Sequence, residues 1–275
     1  MTEGVVYRSA RPLASSTAAV CEKLVGELQI RTILDLRGHS DPSSDQDRIA
    51  AEGVYGIFVP QNFKPKGGSG GDGNNKSARK AIKANIAGSK GFRRRVIRMA
   101  GCPTQLALAF LKLYDSLTGS TLSAFYATRW ALASLSLGET YVLFLQHAGD
   151  KLVEALGVLL REEPPFLMHC SFGKDRTGLV TMLLLSIMGA SESDILADYS
   201  ASEKGLSPVI DNVKSEMADM GMPESWALAT PEAMKTALEY VNNECGGVRQ
   251  YLESRGFSAD EQAALRRKFG QKEDS

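Results

Sequence analysis

The apolar positions of this chain recur at strand or helix spacing, and the two spacings divide it into elements. Residues 5–12 read as an extended arm. Val20, Leu24, Val25 and Leu28 recur at helical spacing, which predicts a helix over 17–28 capped by Ser15, Ser16 or Thr17. A buried strand is predicted over 30–37, ending in Asp35-Leu36-Arg37 before Gly38. A short second strand is predicted over 54–59, terminated by Pro60. Helical spacing over 104–117 and 122–137 predicts a helical hairpin, and over 139–161 one long amphipathic helix. Pro164-Pro165 ends that helix; a buried strand over 166–169 and a buried helix over 179–188 follow. Further helices are predicted at 195–199, 231–241 and 247–252, with a last one starting at 256–261. Strands interspersed with helices make this an α/β chain, a central sheet flanked by helices.

The stretch 62–99 departs from that rhythm. It holds Lys64, Lys66, Lys76, Arg79, Lys80, Lys83, Lys90, Arg93, Arg94, Arg95 and Arg98 against a single acid, Asp72. The whole chain has 32 basic and 32 acidic residues, so the remainder carries a matching acidic excess. The glycine-rich run 67–75 cannot pack a core and is expected to be flexible. The chain is read as one domain over 1–275 with an insertion over 61–138: a basic flexible stretch, 62–99, and the hairpin, 104–137. Three readings of the basic stretch stay open: a solvated linker, a surface for anionic membrane or phosphoinositide headgroups, and a nucleic-acid surface. The third is disfavoured, because only Phe63 and Phe92 offer rings for stacking.

Composition narrows the class further. At 43% hydrophobic and 23% charged the chain is that of an ordinary globular protein. No basic-then-apolar leader stands at the N-terminus, and the longest apolar run, 179–188, is too short to cross a bilayer. Cys21, Cys102, Cys170 and Cys245 lack metal-ligand spacing, and His147 has no partner at such spacing. A secreted chain would tend to oxidise Cys170, so a reducing, cytoplasmic compartment is expected.

The chemistry concentrates at 166–179. Cys170 and Arg176 enclose five residues between a strand and a helix. Such a loop wraps its backbone N–H groups around one centre, and the helix N-terminus adds partial positive charge there. Arg176 can grip two phosphate oxygens through its planar fork. The field that holds phosphate also favours the thiolate of Cys170, a nucleophile. Thr177 is placed for its hydroxyl to hydrogen-bond that sulfur as it leaves. Gly173-Lys174 is no nucleotide-binding loop, because Met168 stands where that motif needs Gly and Asp175 where it needs Ser or Thr. Arg37 ends its strand on the side where ligands of open α/β sheets bind; substrate contact and a structural pairing with Asp35 are both open.

His169-Cys170-x-x-Gly173-Lys174-Asp175-Arg176-Thr177-Gly178 resembles the loop of the cysteine-dependent protein tyrosine phosphatase superfamily. More narrowly it is similar to the tyrosine-serine phosphatase branch, whose members act on phosphotyrosine, phosphoserine/threonine and phosphoinositides. The resemblance covers roughly 5–60 and 139–270; the basic insertion departs from it. It implies a phosphatase-like sheet and a hydrolase that needs no cofactor or metal, with a phosphorylated protein or phosphoinositide as partner. Catalysis would fall to Cys170, Arg176 and Asp175, with phosphate bound by Ser171, Phe172, Gly173, Lys174 and Thr177. Asp175 is implied as the general acid; Asp41, Asp45 and Asp47 are the rival source, and a salt bridge to a nearby Arg the structural alternative for Asp175. Lys174 is expected at the rim, where the family links it to phosphoinositides. Arg8 lies in a segment expected to pack near the loop, which makes it a candidate substrate contact beside the reading of Arg8 and Arg11 as surface charges; Asp198-Tyr199 matches a structural position, and the hairpin corresponds to a lid. A non-catalytic phosphate-binding pseudophosphatase is the main rival, and a sulfur transferase the lesser one.

Overall fold

The computed structural model describes residues 5–11, 17–38, 59–62, 79–99, 102–120, 126, 129, 132–219 and 221–270. Its centre is a parallel sheet of five strands: β1 (Val6–Ser9), β2 (Thr32–Asp35), β3 (Val59–Asn62), β4 (Lys80–Lys83) and β5 (Phe166–His169). The spatial order is β1-β5-β2-β4-β3. β2 and β5 are buried along their whole length, as inner strands of a parallel sheet must be. Their side chains alternate between two layers. Ile33 and Leu167 join a small cluster with Leu24 and Ile30, while Leu34, Phe166 and Met168 join the main core. The sheet is thus covered on both faces.

The small layer is α1 (Thr17–Cys21), prolonged by a π-helical turn over Glu22–Glu27. The large layer holds α2 (Lys90–Met99), α3 (Cys102–Thr118), α4 (Leu137–His147), α5 (Gly149–Arg161), α6 (Asp175–Ile187) and α7 (Glu192–Leu206). It continues through α8 (Ile210–Asp219), α9 (Pro231–Glu244), α10 (Val248–Ser254) and α11 (Ala259–Phe269). Capping boxes start three of these helices: Ser136 with Glu139 at α4, Ser191 with Asp194 at α7, and Ser258 with Glu261 at α11. Among the described residues no helix is long and apolar enough to cross a membrane.

Three expectations need correction. The basic stretch expected to be flexible contains strand β4 and helix α2. β4 pairs with β2 on one side and β3 on the other, and buries Ile82 between two lysines. Lys80 is accommodated by an ion pair with Glu162 at 2.7 Å. The glycine-rich run 67–75 lies outside the described residues. Second, Pro60 does not terminate its strand but lies inside β3, on the sheet edge, where its missing N–H costs no ladder bond; 54–58 lie outside the described residues. Third, the single helix over 139–161 is two, broken at Ala148 (φ −124°, ψ 19°). Carbonyls at the break find donors from distant parts of the chain. Tyr251 OH donates to Leu145 O at 2.8 Å and Ser89 OH to His147 O at 2.8 Å. The first hairpin helix forms as α3; of the second, 122–137, half the residues lie outside the described ones, and 133–136 form a non-helical turn into α4, with Ser136 extended as its cap.

Candidate active site

Register places the site. Ser9 of β1 and Asp35 of β2 both lie opposite His169 of β5, so three strands end side by side where Cys170 begins. Cys170 is buried, 1% exposed. The chain then turns through Ser171–Lys174 and enters α6 at Asp175. The turn depends on Gly173, whose φ of +72° suits glycine and whose added Cβ would stand 2.2 Å from Ser9 O. Arg176 reaches back across the loop, Nη2 donating to Ser171 Oγ at 3.0 Å. The first turn of α6 has no side-chain cap. Thr177 Oγ1 is buried and has no hydrogen-bond partner among the described residues.

The N-terminal arm walls one side of the loop. Past the end of β1, Arg11 N donates to Ser171 O at 3.0 Å. The Arg11 guanidinium lies 6.0 Å from the Phe172 ring centre and pairs with Glu216 at 2.6 Å. Arg8 Nη2 donates to Gly173 O at 3.3 Å, and its guanidinium also binds Asp198 and Ser202. The expectation that Arg8 packs near the loop therefore matches the structure, and its charge is engaged by Asp198.

Asp175 sits in a polar net that sequence reading did not anticipate. Its Oδ1 accepts from Lys174 Nζ at 2.6 Å and from Tyr141 OH at 2.6 Å. Tyr141 OH lies 2.7 Å from Tyr199 OH. Tyr141 has one proton and gives it to Asp175, so Tyr199 must donate to Tyr141. Burial, then the nearby Asp175 carboxylate, push both phenols above their ordinary range, which keeps them neutral donors. Lys174 corrects the expected rim charge: it is fully buried, with its ammonium turned to Asp175. The salt bridge considered for Asp175 does exist, but to Lys174, a buried cation being tolerated only when paired.

Behind the loop, His169 Nδ1 stands 3.2 Å from Cys170 O. A carbonyl only accepts, so Nδ1 carries the proton. Burial pushes the imidazole below its ordinary range, outweighing the pull of Asp35. Burial also works against the Asp35 carboxylate, but His169 and Arg37 outweigh it and hold its carboxyl below the usual range. With His169 neutral at neutral pH, Arg37 is the standing partner. Its Nε donates to Oδ1 and its Nη2 to Oδ2, both at 3.0 Å. Of the two readings of Arg37, the structural pairing is present.

The fold therefore gathers Cys170, Ser171, Phe172, Gly173, Lys174, Asp175, Arg176 and Thr177 into one turn, with Arg8 against it and Arg37 on the neighbouring strand end. Asp41, Asp45 and Asp47 lie outside the described residues. Sequence reading missed Tyr141, whose helical spacing matches an ordinary core residue. Asp198-Tyr199, a structural position by resemblance, reaches the site through both residues: Asp198 binds Arg8 and Tyr199 binds Tyr141.

The model of a family described as the tyrosine phosphatase family matches residues 1–271. Among curated proteins, a tyrosine-protein phosphatase of Nostoc commune is 29% identical over 147 residues, 50% of this chain and 50% of its own. A putative tyrosine-protein phosphatase of Cupriavidus necator is 38% identical over 92 residues, 31% of this chain and 33% of its own. The triple specificity protein phosphatase PtpB of Mycobacterium tuberculosis is 26% identical over 117 residues, 42% of this chain and 41% of its own. The chain thus spans half or less of the length of these relatives.

Proposed function

Since the chain belongs to the tyrosine phosphatase family, we propose that it hydrolyses phosphotyrosine monoesters through a phosphocysteine intermediate on Cys170. The observation that carries this reading is the β5–α6 junction. A buried cysteine stands one residue past an inner strand, and five residues on begins an uncapped helix bearing Arg176 in its first turn.

In the first step the Cys170 thiolate attacks phosphorus. The S–P bond forms as the P–O bond breaks, and Asp175 gives its proton to the leaving oxygen. In the second step water attacks phosphorus, the S–P bond breaks, Asp175 takes a proton from the water and inorganic phosphate leaves. Loop N–H groups over 171–176 and the Arg176 fork hold the equatorial oxygens. The Arg176–Ser171 bond supports that role, because it holds the guanidinium over the loop before substrate arrives. Lys174 and Tyr141 both bond Oδ1 of Asp175, so the transferable proton belongs on Oδ2. Thr177 Oγ1, buried without a partner among the described residues, suits the sulfur as donor during the second step.

Phosphoserine, phosphothreonine and phosphoinositides belong to the same proposal, since one matched relative is named a triple specificity phosphatase. A cytoplasmic setting fits Cys170 and Cys245, neither of which is joined in a disulfide. The test is turnover of p-nitrophenyl phosphate, phosphotyrosine and phosphoserine peptides and inositol lipids, with and without vanadate. Wild-type turnover should be blocked by vanadate and fall at least about a thousandfold in Cys170→Ser. An acid quench should trap phosphate on Cys170. Phosphate binding without turnover would replace this reading with a non-catalytic binding module.

A further inference from the structure

Helix α3 buries Leu108 and packs Leu111 against the core, yet its other side carries Leu106, Phe110, Leu113, Tyr114 and Leu117. These five recur at spacings of three and four and form one stripe. Each is at least half exposed, Leu117 at 79%. Soluble surfaces seldom leave so many large apolar side chains contiguous. Separated from α3 by two residues, helix α2 buries Phe92 and Val96 and turns Lys90, Arg93, Arg94, Arg95 and Arg98 to solvent. The segment 79–99 contains no acidic residue.

We propose that α2 and α3 together dock this chain on an anionic bilayer surface. The arginines of α2 meet lipid headgroups, and the α3 stripe enters the boundary with the acyl chains. The charge selects this occupant over a second copy: face-to-face copies would bring the like-charged α2 helices together, whereas an anionic leaflet neutralises them. The surface is also mechanically tied to the candidate site. Phe92 stacks on Phe144 of α4 with ring centres 4.3 Å apart, and one turn earlier α4 carries Tyr141, which holds Asp175. Docking would therefore bring the catalytic loop near headgroups rather than leave it in bulk solvent.

The experiment is co-sedimentation of the full chain with phosphatidylcholine vesicles, with and without phosphatidylserine. Phosphatidylserine is a phosphodiester, so binding to it does not report on the monoester site. Binding should be at least about tenfold stronger with phosphatidylserine and weaken as salt rises, since each basic residue contributes roughly fivefold. Arg94→Glu/Arg95→Glu and Phe110→Glu/Leu117→Glu should each lose at least about tenfold in vesicle binding. Both should keep wild-type melting and wild-type turnover of p-nitrophenyl phosphate; if the second pair unfolds, Phe110→Ser replaces it. Equal binding to the two vesicle types, or variants that bind as wild type, would overturn the proposal. So would a lipid-free dimer that Phe110→Ser dissociates, since the stripe would then belong to a second copy. Loss of turnover with intact vesicle binding would count against the phosphatase reading alone.

Discussion

At Asp175 an ammonium and a phenol meet one carboxylate oxygen, and under the proposed mechanism this arrangement makes Tyr141 a positioning residue. Tyr141→Phe keeps the edge-on packing of the ring against Tyr199, whose centre lies 6.1 Å away, but removes the bond to Asp175 and strands the Tyr199 hydroxyl. The expected stability loss is about 1–3 kcal/mol. The expected kcat loss is about tenfold for alkyl monoesters, which need a proton on the leaving oxygen, and much smaller for p-nitrophenyl phosphate. Comparing the two substrate classes in the same variant separates positioning from general destabilisation. His169 sets the behaviour in acid. Its folded pKa is depressed, so below about pH 6.5 the unfolded chain binds more protons than the folded one. Stability should therefore fall as pH drops from about 6.5, with Asp35 adding loss of the same sign below about pH 4. His147, lowered chiefly by burial, runs the same way. Urea midpoints across that range should show the slope, and His169→Asn should flatten it. Cys170, Asp175 and Arg176 were legible as a group because their spacing has one simple geometric reading. Tyr141 was not, because helical spacing reports that a side chain faces the core and says nothing of its hydroxyl's partner 34 residues away.

The β5–loop–α6 element depends on one backbone conformation. Gly173→Ala would force a side chain into positive φ and against Ser9 O, at a cost of at least about 2 kcal/mol. The loop would swing its N–H groups away from their common centre, and turnover should fall at least about tenfold while phosphate affinity weakens in parallel. Phosphate protection against thermal unfolding would check the affinity, and rates the turnover. At this scale the strands with continuous apolar runs, β2 and β5, were readable. β4 was not, because two lysines in Lys-Ala-Ile-Lys disguise a strand that buries one isoleucine and relies on Glu162 from another element. The break between α4 and α5 was equally hidden, since its carbonyls are satisfied by Ser89 and Tyr251 from outside the segment.

Over the whole molecule, helix α11 braces from behind the strand that leads into the candidate site. Phe269 of α11 meets Phe166 of β5 edge-on with ring centres 5.9 Å apart. Lys268 donates to Leu159 O and Leu160 O, at 2.9 and 3.0 Å, closing the C-terminus of α5. Phe269→Ala should cost about 3–5 kcal/mol, read from denaturant midpoints, although the residue lies remote in sequence from the loop. Such dependence follows from one core cluster running from β5 through α6 to α11. The order of residues along the chain was enough to settle that a cysteine, an aspartate and an arginine share one strand-to-helix turn, because covalent spacing holds them there whatever the rest does. Only tertiary packing decided that Lys174 turns inward, that Tyr141 and Tyr199 support Asp175, and that the N-terminal arm walls the loop. Lys174 meets its sequence neighbour Asp175 only because packing buries both, and the other contacts join residues 34 to 194 positions apart; no local periodicity encodes which groups a fold will bring within hydrogen-bonding reach.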